Sequence, residues 1–248
     1  MLALPRAPSG RNATAVDVAR RLVTTVGGRY STELGIDVDR GDDEVERWFL
    51  AATLFGARIS AGIASRTFLV FDRASITRVA RARYVPWDDL VALLDEGGYA
   101  RYDFRTATRL QALATTLDGR YGGHVAAIGR CFPDYAGLRD ALDALPGWGP
   151  VTVGLFLREL RGVWRGAEPP VDDRAGQAAR HLGLSRARRA EAVLDAVART
   201  ASDAGLDLRD LESALVRLSL AHHAGMDDCP GGPDCSVLAH RSRREDTP

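Results

Sequence analysis

The chain carries 33 basic residues and no lysine; every one is arginine. No side-chain amine is therefore present to form a Schiff base, which leaves only an N-terminal amine for that chemistry. Cysteine is nearly as scarce. Cys131, Cys229 and Cys235 are too few for a disulfide framework. No apolar run approaches the ~18 residues of a membrane helix. The opening Met1-Leu2-Ala3-Leu4-Pro5-Arg6 is too short and broken for a secretory signal, so a cytoplasmic location is expected. Formal net charge is zero, so binding to a polyanion would require arginines gathered on one face rather than a global field. With 46% hydrophobic and 27% charged residues, the composition is that of a soluble globular chain. Its 248 residues can bury a full core in one or two lobes.

What is present is helical periodicity nearly throughout, with no sustained strand alternation. Asn12 is placed to cap a helix carrying Val16, Ala19, Leu22 and Val23, stopped by Gly27-Gly28. Asp42-Asp43 opens a second helix with Val45, Trp48, Phe49 and Ala52 on one face. Pro86-Trp87 starts another, and a long helix is predicted over residues 103–117. Leu138, Leu142 and Leu145, then Val153, Phe156, Leu157 and Leu160, mark two helices separated by Pro146-Gly147-Trp148-Gly149-Pro150. The last helices carry Ala175, Ala178 and Leu182, then Val193 and Val197, then Leu208, Leu211 and Leu215. The polar stretch after Cys235 is expected to fray.

The Pro-Gly-x-Gly turn has a physical use. Gly147 and Gly149 let an anion approach the backbone, and Pro150 fits the first helical turn without wasting a donor. The N–H groups of Gly149, Val151 and Thr152 then form an anion site at the helix start. A plain packing corner is the other reading of the same residues. Downstream, Val171-Asp172-Asp173-Arg174 supplies carboxylates where Pro169-Pro170 gives way to a helix, and either aspartate also suits a helix start.

Taken together, these segments resemble the helix-hairpin-helix (HhH-GPD) base-excision DNA glycosylases of the endonuclease III and adenine-glycosylase type. The match runs from about residue 45 to 184. In that superfamily a catalytic aspartate precedes a helix that ends in Leu-Gly about ten residues on. Leu182-Gly183 therefore implies Asp172 as the catalytic carboxylate, with Asp173 the alternative register. Bifunctional members use a lysine in the hairpin, and the matching residue here is Val151. The resemblance also implies a monovalent cation held by the carbonyls of Asp143, Leu145 and Trp148. Trp148 either packs under the hairpin or lies against a sugar.

Upstream, Gly98-Tyr99-Ala100-Arg101 resembles the Gly-Tyr-Tyr-x-Arg block of adenine and mismatch-thymine glycosylases, and Tyr121-Gly122-Gly123 their His-Gly-Gly turn. Tyr99, Arg101 and Tyr102 are thus candidates for a base pocket or for core packing. Leu54-Phe55-Gly56-Ala57-Arg58 matches the loop that fills the gap left by a flipped base, making Arg58 the candidate wedge or a solvated helix-end residue. Many members hold a four-iron cluster through Cys-x6-Cys-x2-Cys-x5-Cys. Only Cys229 and Cys235 remain here, with Met226 in the second slot, so the standard cluster is not expected. A Cys2His2 zinc site from Cys229, Cys235, His222 and His240 is one alternative. A metal-free loop is another, and a disulfide a third.

The resemblance implies an all-α, two-lobe helical glycosylase architecture. One lobe would cover residues 44–160 and end in the hairpin; residues 12–43 and 161–248 would form the other. The implied function is a monofunctional DNA glycosylase of base excision repair: a hydrolase without lysine-dependent lyase activity, needing no cofactor for catalysis. It would act as a monomer on double-stranded DNA in the nucleoid. The alternatives are a non-catalytic lesion-recognition protein and a helical interaction module with no DNA role.

Overall fold

The computed structural model describes residues 14–57, 59–222 and 225–242, with side chains described to residue 239. In chain order the helices are α1 (Ala15–Val26), α2 (Tyr30–Glu33), α3 (Asp42–Phe55), α4 (Ala61–Arg73), α5 (Trp87–Gly97), α6 (Asp103–Tyr121), α7 (Ala126–Cys131), α8 (Tyr135–Asp143), α9 (Pro150–Glu159), α10 (Asp173–His181), α11 (Ala190–Ala204), α12 (Leu208–Ala221) and α13 (Ser236–Ser242). Three 3-10 turns lie at Val38–Arg40, Val79–Tyr84 and Gly232–Asp234, and the described residues contain no strand. The protein is all-α. None of its described helices is long and apolar enough to cross a membrane.

The chain divides into two compact units, Arg29–Pro169 and Met1–Gly28 with Pro170–Pro248. In the continuous unit, α3 is the central element. Trp48, Phe49, Leu50, Ala51, Ala52 and Leu54 are all fully buried, so the second half of the helix is apolar almost all round, as a core segment must be. It packs against α4, α7 and α9. Each large side chain sealed there contributes about 1.5–3 kcal/mol of hydrophobic stabilisation. The Trp48 indole N–H, buried with its ring, donates to the Phe156 carbonyl at 3.3 Å.

The boundaries of this unit differ from the expected 44–160. Tyr30, Leu34, Ile36 and Val38 on one side, and Trp164 and Ala167 on the other, belong to its core. A buried carboxylate accounts for the first extension. Glu159, at the end of α9, accepts from the Tyr30 and Ser31 N–H groups at 2.9 and 3.0 Å. It thereby caps α2, whose own N-cap Arg29 makes no side-chain cap bond. Residues 29–43 thus belong with the hairpin rather than with the other unit.

The discontinuous unit joins α1 to α10–α13. Thr14 and Asp17 form a capping box that starts α1, so the start lies at Thr14, while Asn12 falls outside the described residues. Val18, Ala19 and Leu22 pack into a core with Val193, Val197, Leu211 and Leu215. Arg20 donates to the Ala204 carbonyl at 3.0 Å and Arg217 to that of Val26 at 3.2 Å, tying α1 to α11 and α12. The expectation that the chain frays after Cys235 is corrected over Ser236–Ser242, which form α13. Leu238 there is buried, and Arg21 holds its carbonyl at 2.8 Å.

Candidate functional site

The hairpin is built by α8, the turn at residues 144–149, and α9. Gly147 sits at φ +84°, in the left-handed region where glycine is at ease, and a Cβ there would meet the Arg109 side chain at 3.3 Å. The Leu145 carbonyl accepts from the Trp148 N–H at 3.1 Å and closes the turn. Gly149 is the N-cap of α9 and Pro150 its first residue, with no side-chain cap. The first-turn N–H groups of α9 therefore lack intrahelical acceptors and face the positive end of the helix dipole. Val151 stands on this turn, 78% exposed. Thr152 is buried, and its hydroxyl abuts Gly56 at the end of α3.

Trp148 packs beneath the turn. It stacks on Phe49 with ring centroids 4.3 Å apart and meets Phe156 edge-on at 5.3 Å. Its indole N–H donates to the Thr53 hydroxyl at 3.1 Å. The ring is 8% exposed, as the packing reading expects. Arg109 is a residue the sequence did not single out. It is exposed on α6, and its aliphatic stem runs past Gly147, which brings a guanidinium to the hairpin.

Asp172 is the N-cap of α10, and its Oδ1 accepts from the Ala175 N–H at 2.8 Å. Asp173 is the first helical residue, and both aspartates are exposed. The two registers are thus physically distinct: Asp172 holds its carboxylate in a fixed rotamer through the cap, whereas Asp173 lies in the first turn.

The upstream candidates separate. Tyr99 is packed as a core residue. It is 1% exposed and its hydroxyl donates to the Leu54 carbonyl. Burial pushes its phenol well above the usual tyrosine range. Tyr102 is half-buried at the N-cap of α6, with the Arg101 guanidinium 5.9 Å from its ring centre. Arg58 lies outside the described residues.

A second group of chemistry-bearing side chains lies in the discontinuous unit. His181, His222, Cys229 and Cys235 bring their ligand atoms within 4.8 Å of one another. His181 is the last residue of α10 and His222 the C-cap of α12. Cys229 accepts from the Ser236 N–H at 3.3 Å, and Cys235 Sγ lies 3.3 Å from His222 Nε2. Burial and then the neighbouring His222 hold the His181 imidazole below its ordinary value. Burial pushes the Cys229 thiol up, but the Ser236 hydroxyl and N–H outweigh it and leave it below a free cysteine. Three of the four sequence candidates converge here. The His240 side chain lies outside the described residues, and His181 stands as the fourth member.

A four-iron cluster does not fit these residues. Its four-cysteine spacing, counted back from Cys229 and Cys235, falls on Met226 and Ser219. A cuboidal cluster also holds its four thiolates on separate irons, farther apart than the donors of one ion.

No family model and no curated protein matches the chain. Among solved structures it is similar to endonuclease III trapped as a covalent intermediate with DNA, in an estranged-adenine complex. The two are 18% identical, with a TM-score of 0.48 over 92% of this chain and 96% of that one.

Proposed function

We propose that this protein is a monofunctional DNA glycosylase of base excision repair. It binds double-stranded DNA as a monomer, receives a damaged or mispaired base flipped out of the stack, and hydrolyses its N-glycosidic bond. The observation that carries the reading is the start of α9. An uncapped helix N-terminus follows a turn with Gly147 in the left-handed region, and an exposed Val151 stands where a covalent mechanism would place lysine. The N–H groups of Gly149, Val151 and Thr152 suit a phosphate oxygen, which positions DNA without reading sequence. Carbonyls of Asp143, Leu145 and Trp148 would hold a monovalent cation beside it.

Asp172 takes the catalytic role, with Asp173 the alternative. Breaking the glycosidic bond leaves positive charge on the deoxyribose. A carboxylate fixed by its cap bond stabilises that charge and polarises the attacking water, without rearrangement during the reaction. One water is consumed; the free base and an abasic sugar are released, and the strand stays intact. A lysine-based elimination has no residue to start it. Arg101 and Tyr102 remain pocket candidates, and Arg58 the wedge.

The test is base release from duplexes carrying uracil, mispaired thymine, mispaired adenine, oxidised guanine or alkylated bases, with abasic sites revealed by alkali. Release of one base that is lost in Asp172→Asn supports the reading, because asparagine still caps a helix and keeps the fold. The cap bond also favours a second reading, in which Asp172 only starts α10 and the protein recognises lesions without cleaving them. Tight, lesion-selective binding with no release from any duplex would establish that one.

A further inference from the structure

We infer that His181, His222, Cys229 and Cys235 form a mononuclear zinc site in place of an iron–sulfur cluster. Two thiolates and two imidazoles are a common structural zinc set, with bonds of about 2.3 Å to sulfur and about 2.0–2.1 Å to nitrogen in a tetrahedron. Those lengths put neighbouring ligand atoms roughly 3.3–3.8 Å apart. The His222 Nε2 to Cys235 Sγ separation is already 3.3 Å, and no pair exceeds 4.8 Å. An inward shift of an ångström or less completes the sphere. A two-iron cluster would need its thiolate and imidazole pairs spread over two metals.

Three further observations point the same way. His181 Nε2 is buried and has no hydrogen-bond partner among the described residues, an orphan that a buried polar atom seldom remains. Both histidines stand at the C-terminal ends of helices, where the dipole favours a cation. Gly231, between the cysteines, has φ +71°, and a Cβ there would come within 2.4 Å of the His181 carbonyl oxygen. The cysteine loop is thus shaped to press against the end of α10. Two thiolates and two neutral imidazoles around a divalent zinc give a site of zero net charge, suited to partial burial.

The ion would join the end of α10, the end of α12 and the segment that leads into α13. It is a structural site: four protein ligands leave no open position for substrate. It does not depend on the glycosylase reading, since its readouts are metal content and spectra.

The full chain is purified without chelator and assayed for zinc, iron and acid-labile sulfide. The expected result is one zinc per chain with neither iron nor sulfide. Chelator-stripped reduced protein titrated with cobalt should show the intense visible bands of tetrahedral cobalt and a near-ultraviolet thiolate charge-transfer band for two sulfurs. His181→Gln should weaken zinc binding by more than the roughly 10–100-fold that loss of an outer partner costs, while His240→Gln leaves it unchanged. Iron with sulfide, octahedral cobalt, or loss of binding in His240→Gln but not in His181→Gln would each overturn the assignment. Should His181→Gln not fold, the wild-type cobalt spectrum and zinc binding by His240→Gln decide together: fewer than two sulfurs, or loss of binding in His240→Gln, refutes the site.

Discussion

Trp148 lies flat on Phe49, ring centroids 4.3 Å apart and planes 18° from parallel. The hairpin turn thus rests on the central helix of its own unit through an aromatic stack. Trp148→Ala should cost about 3–5 kcal/mol in urea unfolding, as for other buried aromatics. Trp148→Phe keeps the stack and loses the bond to Thr53, so a loss of about 1 kcal/mol is expected. On the glycosylase reading, DNA affinity of the folded Trp148→Phe protein should match wild type. A strong loss of affinity without a loss of stability would mean that the ring touches DNA.

Arg109 supplies a charge beside Gly147. On the glycosylase reading, Arg109→Ala should weaken binding to all duplexes alike and lower the slope of log affinity against log salt by about 1. Stability should stay within about 0.5 kcal/mol, because the side chain is exposed. An unchanged slope would remove Arg109 from the phosphate path.

Val151 is exposed, so Val151→Lys should fold as well as wild type. On the glycosylase reading it should also gain what the parent lacks: a borohydride-trappable link to DNA and strand cleavage without alkali. A well-folded variant with intact base release and no trapped adduct would show that this position does not face the abasic sugar.

Glu46 gives a pH signature. It is buried in α3 and accepts from the Val125 N–H at 2.7 Å, and burial pushes its carboxyl up to about 7. The folded value lies above the unfolded one. Its stabilising contribution is therefore complete below the unfolded value and is lost as pH rises through the folded one. Relative to Glu46→Gln, the wild type should lose roughly 2–3 kcal/mol between pH about 4 and about 8. Parallel stability profiles for the two proteins would contradict a buried, protonated Glu46.

Tyr99→Phe tests a core assignment. Removing the hydroxyl leaves the buried Leu54 carbonyl short of a donor and should cost about 1–2 kcal/mol. On the glycosylase reading, base release per folded molecule should not change. A selective loss of release for one lesion would return Tyr99 to the pocket.

The all-helical fold was legible because its signals are local. Apolar residues at helical spacing placed α3, α6, α9 and α12, and Pro-Gly-x-Gly placed the hairpin between α8 and α9. The place of Asp172 as a helix cap was legible for the same reason, since a cap and its helix are neighbours in sequence. What escaped rests on long-range pairing. Glu159 reaches back to Tyr30, 129 positions away, and moves residues 29–43 into the hairpin unit. His181 stands more than 40 residues before the other metal candidates, in a helix whose pattern gives no sign of a ligand. The one hint was its place at a helix end, just before Leu182-Gly183. Leu238 escaped because the short run Val237-Leu238-Ala239 within a polar stretch reads as exposed until α1 covers it.

The discontinuous unit has a consequence for the order in which the protein is made. A ribosome works from α1 toward α13, and the helices that cover Val18, Ala19 and Leu22 emerge only after the whole Arg29–Pro169 unit has been synthesised. Arg20 waits 184 positions for its acceptor at Ala204. The continuous unit can close as soon as its own residues clear the exit tunnel, whereas α1 travels ahead of it as an orphan amphipathic helix. A translational pause before α11 would prolong that exposure, and an early stop there would strand a finished hairpin unit on a chain whose other core was never assembled.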